Sequence, residues 1–222
     1  MGKARIVYAM RVTIRAYYAM LDVAPGDLSD DAGLVRRAGA LLAAGPCCLQ
    51  LRAKNATAAA MRDAARLLAP LCRAAGVGFC MNDRLDVALA VGADVVHLGQ
   101  DDLPLPDARR VLGLTEQKLV IGISTHNLVQ ARAAVAGGAD YIGFGPVFGT
   151  ASKLNPDPTV GLETLAQVCR ESAVPVVAIG GITLDRVREV VAAGAAAAAI
   201  IAAVSTAPDP TVAGRTVAAA FR

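Results

Sequence analysis

The 222 residues carry 55% hydrophobic and 18% charged side chains, a balance that collapses around a sizeable core and excludes a disordered, solvated chain. Net charge is +3, from 22 basic and 19 acidic residues. The basic residues are scattered and no aromatic platform is interleaved with them, which argues against a nucleic-acid partner.

In chain order, MGKARIVYAMRVTIR (1–15) lacks the long apolar run and cleavage site of a signal peptide. Residues 1–13 are read as an N-terminal extension of uncertain structure, ahead of a single domain over 14–222. Strand-like apolar runs follow at YYAML (17–21), CLQLR (48–52), GVGFC (76–80), VVHLG (95–99), VIGIS (120–124), YIGFG (141–145), PVVAIG (175–180) and near 198–203. Periodic helical segments fall between them at 34–44, 58–75, 84–91, 106–112, 128–136, 162–171 and 184–193, and a last helix is expected over 211–221. Three phrases, AVGAD (90–94), AVAGGAD (134–140) and VVAAGAA (190–196), end a periodic segment on glycine just before a strand, as helix C-termini do. The uncharged run over 190–207 is mostly alanine and is broken by glycine. It reads as a helix end and a core strand, not a membrane span. The five cysteines include no CxxC pair. Cys47, Cys48 and Cys80 sit in apolar runs and read as small buried hydrophobes rather than a nucleophile or metal ligands, and the set fits a cytoplasmic location.

Eight strands alternating with helices in this length predict an α/β fold, a single-domain TIM (β/α)8 barrel. The strands lack full polar alternation, as expected of a sheet covered by helices. An open doubly wound sheet is the rival, but no GxGxxG fingerprint is present.

A barrel places its chemistry at the C-terminal ends of its strands, and polar residues gather there. In QLRAK, Gln50, Arg52 and Lys54 recur at period two and so share a face. Their charges require either acidic partners or a bound anion. MNDRLD follows the third strand and HLGQDD the fourth. Asp83 and Asp102 then end adjacent strands, where two carboxylates suit Mg²⁺; the alternative is that Asn82 or Asp83 caps the next helix. Ser124 either binds phosphate or caps the helix over 128–136. His97 lacks metal-motif spacing and reads as a hydrogen-bonded histidine of the core or one that supports a ligand-contacting side chain, and His126 either orients a ligand or makes a local hydrogen bond. Gly143 and Gly145 would let a ligand approach the sixth strand, and GPVFGTASK (145–153) continues into a loop bearing Thr150, Ser152 and Lys153, whose hydroxyls and mobile charge suit an active-site lid. Gly180 and Gly181 free backbone amides for a second phosphate.

These stretches, QLRAK, NDRLDVALAVGADVVHLGQDDLP, GISTH, YIGFGPVFGTASK and VVAIGGI, stand in the order found in the thiamine-phosphate synthase family, which the chain resembles from about Tyr17 to Val204. The resemblance implies a transferase of thiamine biosynthesis that joins a hydroxymethylpyrimidine diphosphate to a thiazole phosphate, or its carboxylated form, and releases pyrophosphate. It implies a pyrimidine diphosphate site at Gln50, Leu51, Arg52, Ala53, Lys54, Asn82, Ser124 and Lys153, with Arg52, Lys54, Ser124 and Lys153 carrying catalysis. It also implies Mg²⁺ on Asp83 and Asp102, and thiazole phosphate on Thr150, Ala151, Ser152, Gly181, Ile201 and Ala202. Ala202 stands where the family usually has serine, and the first strand ends AMLD where threonine–aspartate is usual. A thiazole tautomerase of the same fold and another phosphate-binding barrel isomerase or epimerase are the alternatives.

Overall fold

The computed structural model describes residues 12–149 and 158–222. The strands are β1 (Ala16–Asp22), β2 (Cys48–Arg52), β3 (Gly78–Asn82), β4 (Val95–Leu98), β5 (Val120–Thr125), β6 (Tyr141–Phe144), β7 (Val176–Ile179) and β8 (Ala197–Ile200). They pair in parallel in sequence order, and β8 closes on β1. The helices are α1 (Asp31–Leu42), α2 (Ala58–Ala74), α3 (Leu85–Val91), α4 (Leu105–Gly113), α5 (Leu128–Ala136), α6 (Gly161–Glu171), α7 (Val187–Ala192), α8 (Ala202–Ser205) and α9 (Pro210–Ala220). The closed (β/α)8 barrel is the fold expected from the alternation of elements. None of the described helices is long and apolar enough to cross a membrane.

Both faces of the strands are buried, which is why they read as apolar runs. Tyr17, Ala19 and Leu21 of β1, with Leu49 and Leu51 of β2, face the helices and join the outer core. Their alternates Tyr18, Cys48, Cys80, Val95, Tyr141, Val177 and Ala197 form a second core inside the barrel. Interior packing sets large against small. Tyr141 lies over Gly122, where an added Cβ would come within 2.0 Å of the ring.

The helix starts follow capping chemistry. Asp30, Thr57 and Asn127 accept from backbone amides at the heads of α1, α2 and α5. Asp30 therefore starts α1 three residues before the apolar pattern does. Two strands depart from the sequence reading by more than one residue at an end. β3 starts at Gly78 because Gly76 takes φ +68° and still belongs to the turn after α2. β8 ends at Ile200 because Ile201 leaves extended geometry and α8 begins at Ala202; a run of alanines carries no period to mark that break.

Candidate active site

A cavity of about 560 Å³ opens at the C-terminal ends of the strands, a volume suited to small organic ligands. Strand register decides what faces it. Met20 stands beside Gln50, Gln50 beside Cys80, Asn82 beside His97, and Ser124 beside Gly143. Gln50, Arg52, Asn82 and Ser124 all line the cavity, as do Gly181, Ile201 and Ala202.

The floor is a continuous chain of polar side chains from five strands. Gln50 Nε2 donates to Tyr18 Oη at 3.0 Å, and the Tyr18 and Tyr141 hydroxyls share a hydrogen bond of 3.0 Å. Tyr141 Oη lies 2.9 Å from His97 Nδ1, and His97 Nε2 lies 2.8 Å from Ser124 Oγ. Gln100 Nε2 donates to the Ser124 carbonyl at 2.6 Å. Burial pushes the Tyr18 and Tyr141 hydroxyls well above their ordinary range, so both keep their protons and can donate.

Reading the chain alone missed both tyrosines. His97 is the hydrogen-bonded supporting histidine expected: it lines the cavity and bridges the fourth, fifth and sixth strands. A signal was present, since a tyrosine with a buried hydroxyl needs a partner and the strand period aims Tyr18 inward beside Gln50. Ser124 does not cap α5, whose cap is Asn127. His126 lines the cavity; its backbone amide donates locally to Gln130 Oε1 at 2.8 Å, and its ring Nδ1 donates to the Gly145 carbonyl at 2.6 Å. Gly143 and Gly145 both line the cavity, and protein also packs close to them: added Cβ atoms would meet His97 Cε1 at 3.1 Å and the Ile179 carbonyl oxygen at 2.1 Å.

Charge collects at the rim. Arg52 Nη1 lies 2.6 Å from Asp22 Oδ1, which gives a positioning role to an acid the sequence reading left unassigned. Lys54, beyond the end of β2 and half exposed, forms an ion pair with Asp83. Leu51 and Ala53 are buried, with side chains in the outer core, so only their backbone can face a ligand. Asp83 does not cap α3, which begins after Arg84 without a side-chain cap; nor does Asn82, which lines the cavity. Asp83 instead takes φ +63°, with its amide bonded to the His97 carbonyl at 2.8 Å. Asp102 accepts from the Gly99 amide at 2.6 Å. Its carboxyl is raised above the ordinary range, first by burial and then by the neighbouring Asp83.

The two acids ending β3 and β4 are therefore adjacent, with Lys54 beside them. No set of three or more His, Cys, Asp or Glu is gathered for a metal among the described residues. A pair of crowded carboxylates without further protein ligands is the donor set of an ion that completes its shell with water and phosphate oxygens, as Mg²⁺ does. Thr150, Ala151, Ser152 and Lys153 lie outside the described residues.

Residues 22–204 match the family model described as thiamine monophosphate synthase. The chain is 48% identical over 187 residues to the thiamine-phosphate synthase of Anaeromyxobacter dehalogenans, covering 84% of this chain and 82% of that one. It is 45% identical over 176 residues to that of Roseiflexus castenholzii, covering 79% and 76%. Among solved structures, the thiamine phosphate pyrophosphorylase from Pyrococcus furiosus superposes with a TM-score of 0.78 at 35% identity, covering 93% of this chain and 95% of that one. A 3-hexulose-6-phosphate synthase, 17% identical with a TM-score of 0.63, shares the fold.

Proposed function

The chain belongs to the thiamine monophosphate synthase family, and we propose that it joins 4-amino-2-methyl-5-(diphosphomethyl)pyrimidine to 4-methyl-5-(2-phosphoethyl)thiazole, or to its carboxylated form with additional release of CO2, giving thiamine phosphate and pyrophosphate. The observation that carries this reading is the meeting, at one rim, of two cations from the β2 end with two acids from the β3 and β4 ends. That is the equipment for a leaving diphosphate, set above a neutral hydrogen-bonding floor suited to an aminopyrimidine.

In this reading Gln50, held by Tyr18, and Ser124, held by His97, hydrogen-bond the pyrimidine and orient its methylene. The C–O bond to diphosphate breaks with its electron pair leaving on oxygen, and the aminopyrimidine shares the positive charge left on carbon. The thiazole nitrogen then gives its lone pair to that carbon, forming the new C–N bond. Arg52, Lys54 and Lys153 stabilise the charge growing on the departing group. Asp83 and Asp102 would hold Mg²⁺, which when bound neutralises diphosphate charge. No protein nucleophile is required; catalysis is orientation and electrostatics. The ion pairs to Asp22 and Asp83 keep Arg52 and Lys54 at the rim before substrate arrives. Five free thiols agree with a cytoplasmic enzyme.

The test supplies both phosphorylated heterocycles, with and without Mg²⁺, and measures thiamine phosphate and pyrophosphate. Equal amounts of the two products, formed only with both substrates and Mg²⁺, are expected. Isomerised thiazole phosphate without pyrophosphate would instead assign the chain to tautomerase chemistry.

A further inference from the structure

We infer that Arg186 binds the phosphomonoester end of the second substrate, the thiazole, and sets the preference for a phosphorylated acceptor; this rests on the coupling reaction proposed above. The cavity has two ends. Gln50, Asn82, His97 and Ser124 stand at one. The other, beyond the C-terminal ends of β7 and β8, is walled by Gly149, Gly181, Ile201, Ala202 and Thr206, with Arg186. The small residues leave space for a second heterocycle and can offer backbone amides to an anion, but they carry no charge to set against it.

The arginines and lysines lining the cavity among the described residues are Arg52 and Arg186. Arg52 is already joined to Asp22 at 2.6 Å. Arg186 forms no ion pair with a described residue. The adjacent Asp185 is held below its ordinary range first by a hydrogen bond from Thr183, with Arg186 only a minor cause. Thr206 cannot take the same role while its hydroxyl donates to the Ala202 carbonyl at 2.8 Å. Arg186 is the side chain there with charge to offer.

It is also aimed. Its guanidinium carbon stands over the Phe148 ring, 4.7 Å from its centre, a cation–π contact that reduces the rotamer freedom lost on binding. The ring in turn is fixed to the end of β7. Phe148 N donates to the Gly180 carbonyl at 3.1 Å and Val147 N to that of Ile179 at 2.9 Å. Gly181 packs so closely that an added Cβ would lie 2.7 Å from the Phe148 carbonyl carbon.

Wild type, Arg186→Gln and Arg186→Lys are compared with thiazole phosphate and with the unphosphorylated thiazole alcohol as acceptors, and thiazole phosphate binding is measured by calorimetry. Loss of a charge-assisted contact predicts that Arg186→Gln raises the KM for thiazole phosphate roughly tenfold or more. Arg186→Lys should fall between the two. KM values for the alcohol and for the pyrimidine diphosphate should move less than twofold. An unchanged KM for thiazole phosphate, or an equal loss with the alcohol, overturns the inference, the second because it would mark a packing role. Should wild type form no thiamine phosphate, the coupling reading falls, while calorimetry still decides this one: weaker thiazole phosphate binding by Arg186→Gln supports it and equal binding overturns it.

Discussion

Gly122 offers a sharp test of the floor beneath the cavity. An alanine there is compatible with the strand, but its Cβ would stand 2.0 Å from Tyr141 Cζ and 2.4 Å from the hydroxyl oxygen. The ring is fully buried and cannot simply turn into solvent. Overpacking of this kind costs about 1–3 kcal/mol. Displacing the hydroxyl also breaks its bonds to Tyr18 and His97, at about 1 kcal/mol each. The sum, roughly 3–5 kcal/mol, converts to a fall in Tm of roughly 6–20 °C for a domain of this size. Thermal and urea unfolding followed by circular dichroism measure it. In a Tyr141→Ala background the same Gly122→Ala change should cost less than about 1 kcal/mol, because the clashing ring is gone. The single variant should also lose kcat/KM for the pyrimidine diphosphate, since His97 and Ser124 lose their alignment. A Tm within 2 °C of wild type, or an equal cost in both backgrounds, would refute the packing argument.

Asp83→Asn and Asp102→Asn should each reduce Mg²⁺-dependent turnover by roughly 10²–10³, or about 3–4 kcal/mol, and weaken Mg²⁺ binding measured directly; near-wild-type values in both reject the metal assignment. Because burial and then Asp83 raise the Asp102 carboxyl, it takes up its proton at a higher pH than an ordinary aspartate, so the rise in Tm produced by Mg²⁺ should fade early as pH falls from 7 towards 4. Burial pushes the Cys47 thiol up to about 11 and Cys72 up to about 12, from 9.0. The unfolded chain therefore releases these protons first, and stability should fall as pH rises from about 9 to 11–12. Native protein at pH 8 should resist iodoacetamide, whereas urea-unfolded protein takes up five equivalents. Gly39 is an exposed position of α1 with nothing within 4 Å of an added Cβ. Gly39→Ala should stabilise by about 0.5–1 kcal/mol in urea titrations.

Much of this molecule is local in origin. Apolar runs separated by periodic segments specify eight strands and their helices, and closure into a barrel is the arrangement in which such strands bury both faces. The period of two in QLRAK aims Gln50 and Arg52 inward and turns Leu51 into the outer core, so one face of that strand was legible without coordinates. The caps Asp30, Thr57 and Asn127 are likewise short-range chemistry. What remained hidden is contact between strands distant in sequence. Tyr18 meets Tyr141 across 123 residues, Arg52 meets Asp22, and Asp102 comes to rest beside Asp83. Each depends on the register of a closed sheet, which aligns the inward positions into layers and decides which side chains meet. A strand's own pattern states which way a side chain points; only closure of the barrel decides what it finds there, because neighbours around a ring are fixed by the register of all eight strands together.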